Sequence, residues 1–582
     1  MADFYTSEND WEADYKKART MISEAGRFAG KLSDSADTMF ECFKARSELS
    51  MLVELLHQYA RRSGDLDHRS SKYQSMSDRA AMLASQATAA FSYVEPELLQ
   101  IDDDKLLEMS KKFPEQKLYD LYITELIRSR KHIRSAEVEE LLAQTMMMSR
   151  GPSTIFSMLN DADMKYPSIK DEAGNEVQLT KQRFAKFMDS PDQRVRRDAH
   201  AGMYSSYKSF ANTICASLST SVNKDLFHSQ ARKYESTIQG ALDTFNIPLS
   251  VYHSLVNTTE ANLAGIHKYV EIRKKLLKLD EIHPYDMMCP LFPDENYEVK
   301  YEDAVKEVIQ AAAPLGDEYA AQLKEAFNNR WVDVYETEGK ASGAYSSSNY
   351  SVHPLVLMNY NDTIDNMFTL AHEMGHCMHS FLSNRTQPYP KAHYSTFVAE
   401  VASTLNEGLL LQHLLKKGDD TKRKLFLLNR HIDNTFGTYF HQVLYSHFEL
   451  EIHKQVQEGQ ALSPDSLNQL WEDLTKKYYG PDISMDEFTK YKWSRIPHFY
   501  YTFYVYQYAT SYAASQAILE KFIADEDGIL EKYLGLLSSG GSDYPINQLK
   551  ACGVDMTTSA PFEATLKLFA DQVDKVERLA GI

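Results

Sequence analysis

The stretch FTLAHEMGHCMHS, residues 368–380, carries three histidines and one glutamate within eight positions. Residues Asn361 to Thr363 just before it are good helix caps, and helical spacing of apolar residues follows, so the stretch is expected on a helix. At 3.6 residues per turn, His372 and His376 then lie one turn apart on one face, where both imidazoles can grip a single ion. Glu373 sits between them. It cannot easily reach the same coordination point, but it can hold a water beside the ion and accept its proton. The HExxH spacing thus supplies two metal ligands and a general base, and the plainer alternative is one polar side of a helix.

A catalytic zinc site usually takes three protein ligands and leaves one position open, and two residues compete for the third place. His379 shares the face of His372 and His376, but seven residues of helix span about 10.5 Å. Zn–N bonds near 2 Å make that reach awkward for three histidines on one straight helix. Glu400, in STFVAEVASTLNEGLLLQHLLKKG (395–418), lies on a second expected helix, capped by Ser395 or Thr396 and closed by Gly418. A ligand from a second helix can complete a tetrahedron, so Glu400 is the preferred third ligand, with His379 the alternative or a supporting neighbour. Ser403 and Glu407 share the Glu400 face and are expected to hydrogen-bond the histidines from behind; the competing reading is an exposed polar stripe.

Working outward, the 582 residues exceed what a single core organises, so two or more lobes are expected. Hydrophobic residues at 43% and charged residues at 25% are ordinary for a globular protein and unlike a disordered one. Lys+Arg total 63 against Asp+Glu 82, a formal charge of −19, and no basic run is present of the kind that neutralises phosphates, which argues against a nucleic-acid partner. No export signal and no long uncharged apolar run is found, so neither secretion nor a membrane span is expected. Five scattered cysteines without a CxxC pair suggest neither a disulfide framework nor a thiolate metal site; a reducing cytoplasm fits.

Residues 10–150 show helical periodicity, broken by SGD (63–65) and by YVEPELLQIDDD (93–104). YPSIKDEAGNEVQLT (166–180) reads as a hairpin around Gly174-Asn175, after which Ser190 can cap, and Pro191 can open, a run of helices to about residue 280. From Trp331, the runs WVDVYE, GAYSSSN and HPLVLMNY read as a small sheet next to the HExxH helix. The free edge of HPLVLMNY (353–360, beginning at His353) is expected to align an extended peptide through main-chain bonds. Gly343, Ala344 and Tyr345 are expected close to that peptide, small residues permitting backbone approach, with an ordinary turn as the alternative.

Amide hydrolysis also needs donors to the oxyanion that develops. PHFYYTFYVYQYATSYAAS (497–515) is the candidate. If Pro497 opens a helix, His498, Tyr501, Val505, Tyr508 and Tyr512 share one broad face, which either looks into a cleft or is an aromatic core stripe.

HEMGHCMHS followed by FVAEVASTLNE resembles the oligoendopeptidase F group of the thimet oligopeptidase family of zinc metallopeptidases. ARKYESTIQGAL (231–242), GAYSSSNYSVHPLVLMNYN (343–361), RIPHFYYTFYVYQYATS (495–511) and LSSGGSDYPINQLKACGVDM (537–556) agree with it. The similarity runs from about residue 110 to the end. It implies His372, His376 and Glu400 as ligands of one zinc ion, Glu373 as the base, and His498, Tyr501 and Tyr508 at the oxyanion; some descriptions of the family also count the position of His379. An extra residue, Ala399, departs from the thimet branch, but the neighbouring Val401 cannot ligate, so Glu400 stands. SSGGSDYP (538–545) resembles a family loop near the site. The fold implied is mainly α, a two-lobed helical shell around a deep substrate channel with a small sheet beside the zinc helix. An N-terminal helical region is expected over 1–190 and a catalytic domain over 191–582. The activity implied is cleavage of internal bonds in short peptides. The alternatives are a dipeptide-releasing carboxypeptidase of the same family and a peptide-binding protein without turnover.

Overall fold

In the computed structural model, residues 1–112, 118–292, 297–418 and 420–582 are described. Serines begin the first three long helices: Ser7, Ser35 and Ser70 each accept a backbone N–H of the opening turn of Glu8–Glu24, Ala36–Leu66 and Ser71–Ala90. Their apolar faces meet in a core that includes Trp11, Phe43 and Leu56, with the Trp11 indole N–H on the Leu56 carbonyl at 3.1 Å. The break expected at Ser63-Gly64-Asp65 falls just after it: the helix ends at Leu66 and the next begins at Ser71. Ser63 is buried, and Arg62 pairs with Asp65 at 2.8 Å across the last turn.

Compactness divides the chain differently from a linear partition at residue 190. One unit comprises Met1–Lys131, Tyr297–His413 and Ile518–Gly553; the other comprises His132–Asn296, Leu414–Ala517 and Val554–Ile582. Both are mostly helical. The second unit holds the expected hairpin, with β1 (Ser168–Lys170) antiparallel to β2 (Glu176–Gln178) and Gly174 at φ +84° in the turn. Lys181–Met188 follows the hairpin, and the helix after Ser190 starts two residues later than that residue would have it: Asp192 is the cap of Gln193–Ser209, its carboxylate accepting the Arg194 N–H at 2.9 Å. Among the described residues no helix is long and apolar enough to cross a membrane.

The first unit contains a three-stranded sheet of order β3 (Val332–Asp333), β5 (Val352–Leu357), β4 (Tyr345–Asn349). β3 is parallel and β4 antiparallel to β5, with Ser346 opposite Val356. The strand expected to offer a free edge, HPLVLMNY, is therefore β5, the middle strand. Its edge groups are paired on both sides, and the outer strand beside it is β4. Sequence alternation marks a strand but carries no information on its rank in a sheet.

Thr363 caps the helix Ile364–Thr386, which packs on β4 and β5 and is called here the HExxH helix. The Glu400 helix, Thr396–Lys416, crosses it in contact at Gly375. A Cβ on Gly375 would lie 2.6 Å from both the Ala402 carbonyl oxygen and the Ser403 Cα, closer than real contacts allow. Asn406 ties the same pair together, its Nδ2 donating to the Ala371 carbonyl at 3.3 Å. Gly375→Ala is expected to force the helices apart at a cost of about 1–3 kcal/mol. That cost would be read as a lowered thermal midpoint of the first unit; an unchanged midpoint would show slack at the crossing.

Candidate functional site

Burial and helix geometry bring His372 and His376 together as the spacing requires, and the crossing at Gly375 delivers Glu400 to them. Glu400 Oε2 stands 3.4 Å from the Nε2 of each histidine. These three donor atoms form a group able to hold a metal ion, all within 4.8 Å of one another. A tetrahedral ion with bonds of about 2.0–2.1 Å, as zinc makes to imidazole and carboxylate, sets donor separations of about 3.3–3.4 Å. The donor set fits such an ion in both chemistry and spacing.

The supporting contacts sort the expectations for the Glu400 helix. Glu407 Oε1 accepts from His372 Nδ1 at 2.8 Å, which fixes a proton on Nδ1 and turns Nε2 toward Glu400, where its lone pair becomes available once its own proton is displaced. Ser403 does not reach the histidines. Its hydroxyl bonds the carboxylate of Glu400 itself, at 2.8 Å to Oε2, and orients that side chain instead. Burial works against a charged His372, but the surrounding carboxylates, Glu407 first, outweigh it and raise the imidazole to about 9. Burial likewise opposes the Glu400 carboxylate, yet His376, His372 and Ser403 bring it down to about 2.

His379 takes no part in this group. Its ring is 1% exposed and stacked on Tyr394 at 3.7 Å with planes 6° apart, neither nitrogen has a hydrogen-bond partner among the described residues, and burial lowers its pKa to about 3. It is a neutral packing residue under the helix. Glu373 is 7% exposed, and burial raises its carboxyl above the ordinary value near 4.5. The backbone N–H of Ser346, on the outer strand β4, donates to that carboxylate. This contact was not legible in sequence, because it depends on which strand is outermost.

Gly343, at φ +82°, is exposed and accepts from Asn359 Nδ2 at 2.8 Å, and Ala344 leads from it into β4. The Tyr345 side chain is engaged elsewhere, its hydroxyl on Asp65 at 2.7 Å and its ring under the Arg62 guanidinium at 4.5 Å. His353 stacks on Trp331 at 4.5 Å and pairs with Asp3. Gly540 and Gly541 pack against the backbone of residues 391–393, between the two metal-site helices. A Cβ at Gly540 would sit 2.2 Å from the Lys391 carbonyl, which also accepts the Gly541 N–H at 2.7 Å. This glycine pair braces a connection; it is not an anion cradle.

In the second unit, Pro497 opens only a single 3₁₀ turn, Pro497–Tyr500, and the long helix begins at Tyr506. The single helical face expected from Pro497 onward does not form. A ring cluster forms all the same: His498 lies 6.0 Å from Tyr501, 6.1 Å from Tyr504 and 6.2 Å from Tyr508, and Tyr504 lies 5.4 Å from Tyr508. Tyr504 was missed by the helical count, whereas Tyr512 is buried with its hydroxyl on Thr435 at 2.6 Å, a core residue. Burial lowers the pKa of His498, which keeps its ring neutral at physiological pH.

This is the site of a metallopeptidase. A family model described as Peptidase family M3 matches residues 186–568, and one described as Oligopeptidase F matches residues 97–166. Oligopeptidase PepF of Bacillus subtilis is 42% identical over 579 residues, covering 100% of this chain and 86% of the relative. Group B oligopeptidase PepB of Streptococcus agalactiae is 36% identical, covering 99% of this chain and 96% of the relative. The crystal structure of oligoendopeptidase-F from Enterococcus faecium superposes with a TM-score of 0.77 at 32% identity, covering 99% of both chains. The chain belongs to peptidase family M3, in its oligoendopeptidase F group. It is an enzyme that hydrolyses peptide bonds, and its family implies a metal.

Because His372 is protonated below about pH 9 in the metal-free protein, metal must displace that proton. Calorimetric titration with zinc in buffers of different ionisation enthalpy is expected to show about one proton released per ion, with apparent affinity rising about tenfold per pH unit up to the imidazole's pKa. Glu407→Ala is expected to weaken metal binding about 10–100-fold and to remove most of the proton release. Proton-free binding by the unaltered protein would contradict the charge state described.

Proposed function

We propose that the protein is a cytoplasmic zinc endopeptidase that cuts internal bonds of short oligopeptides. Zinc would be held by His372, His376 and Glu400. The observation that carries this reading is the pair of 3.4 Å separations from Glu400 Oε2 to the two imidazoles, with Glu373 beside them on the same helix. Zinc bound there supplies Lewis-acid polarisation and a lowered pKa for water. Five free, buried cysteines suit a reducing compartment.

The protein's own groups account for the remaining needs. Glu373, ionised, takes a proton from the attacking water and returns it to the leaving amine; its burial keeps it a stronger base than an exposed carboxylate. The free edge of β4 aligns an extended peptide by main-chain hydrogen bonds, with Gly343, Ala344 and the Tyr345 backbone at its start. His353, whose ring packs on Trp331, has only a supporting place behind that strand. For donors to the oxyanion we assign His498, Tyr501 and Tyr508. Their ring cluster and the likeness of RIPHFYYTFYVYQYATS to the family's segment support this. Main-chain alignment tolerates varied side chains, so selectivity for sequence is broad.

Glu373→Gln is expected to keep one equivalent of zinc by elemental analysis while kcat falls about 10²–10⁴-fold. Glu400→Ala is expected to lose the metal, and the opposite pattern would exchange the two roles. Digestion of a mixed peptide pool, read by mass spectrometry, is expected to yield internal fragments; release of C-terminal dipeptides alone would make the enzyme a carboxypeptidase.

A further inference from the structure

Between the single turn Pro497–Tyr500 and the helix Tyr506–Ile523, the chain passes through Phe503 at φ +50°, a left-handed conformation costly for a bulky side chain. Two buried carboxyls hold it there. The Phe503 N–H donates to Glu449 Oε1 at 2.7 Å, and the Thr502 hydroxyl donates to Asp225 Oδ1 at 2.8 Å. The Phe503 ring packs on His453 at 4.5 Å and edge-on against Tyr252 at 5.6 Å. Tyr501 and Tyr504, the residues on either side of this grip, are members of the ring cluster with His498 and Tyr508.

Glu449 and Asp225 come from the helices His441–Gln457 and Ala211–Ala231, and Glu449 is fully buried. Asp225 has Lys224 at 3.0 Å and His453 Nε2 at 3.9 Å, whereas among the described residues no cation stands beside Glu449. Burial pushes the Glu449 carboxyl well above its ordinary range. A fully buried acid with no counter-ion is poor core material, and an apolar side chain would pack at least as well. What an apolar residue cannot do is accept the N–H of a left-handed residue, which no helix or strand satisfies.

We propose that Glu449 and Asp225 are positioning residues of the peptidase reaction: by gripping Phe503 and Thr502 they set where Tyr501 and Tyr504 meet His498 and Tyr508. This rests on the assignment of His498, Tyr501 and Tyr508 as oxyanion donors. The test uses the full-length zinc-loaded enzyme, a quenched fluorescent peptide, and a phosphinic peptide that mimics the tetrahedral intermediate. Glu449→Gln keeps a carbonyl acceptor and is expected to leave kcat within about twofold. Glu449→Leu is expected to lower kcat about 10–100-fold with KM nearly unchanged, and to weaken the phosphinic peptide by the same factor. Thr502→Val, which introduces no misfit in the core, is expected to do the same more mildly, about 3–10-fold. It decides the matter should Glu449→Leu fail to fold. Folded Glu449→Leu or Thr502→Val enzyme with unaltered kcat and inhibitor affinity would overturn the proposal. Tyr508→Phe and His498→Ala serve as the parallel control. If both turn over normally, it is the oxyanion assignment that has failed, and the positioning role falls with it.

Discussion

The site depends on one close crossing of helices. Where the HExxH helix passes the Glu400 helix, the absence of a side chain at Gly375 lets the backbone of Ala402 and Ser403 come within a distance that any Cβ would forbid. That approach places Glu400 against both imidazoles and, two turns along, Glu407 against the back of His372. With Glu400 Oε2 only 3.4 Å from each imidazole, a shift of one ångström between the helices would break up the group. Asn406, bonded across to Ala371, and the glycine pair at 540–541, braced on the connection between the helices, keep that shift from occurring.

The electrostatics follow from the same packing. Glu373, Glu400 and Glu407 are brought close to two imidazoles in a partly buried place, an arrangement whose carboxylates need positive charge nearby. Without an ion, His372 carries that charge as a proton, and Glu400 stays ionised beside His376 and His372. A divalent cation serves better than a proton because it can be shared by all three donors at once. Glu373 differs from the other two. Burial outweighs the pull of His372, His376 and a backbone N–H of β4 on its carboxylate and leaves it raised and basic, the state a proton acceptor requires.

The second unit solves a different problem, that of presenting several aromatic hydroxyls without a continuous helix to carry them. A single 3₁₀ turn, a left-handed phenylalanine and the start of a long helix bring one histidine and three tyrosines together. The cost of the left-handed residue is met by buried acceptors and by aromatic contacts around its ring. Helical periodicity put His498, Tyr501 and Tyr508 on one face with Val505 and Tyr512 for a reason that does not hold, and the irregular backbone gathers those three all the same.

Local chemistry written in the chain was enough to read the helix with His372, Glu373 and His376, its Thr363 cap, the grouping of Glu400 rather than His379 with the two histidines, and the largely helical architecture. Each of these depends on spacing along one element, on side-chain reach or on composition, quantities that neighbouring residues carry within themselves. Other features waited on the folded state: β5 in the middle of its sheet and β4 outside it, Ser403 turned to Glu400 while Glu407 took the histidine, and the late helix start at Tyr506. These are outcomes of contacts between residues far apart in the chain, where burial and pairing with a distant partner outweigh local preferences of a few tenths of a kcal/mol. Gly375 belongs to the second account: only the packed structure shows that its missing side chain makes room for the backbone that carries Glu400.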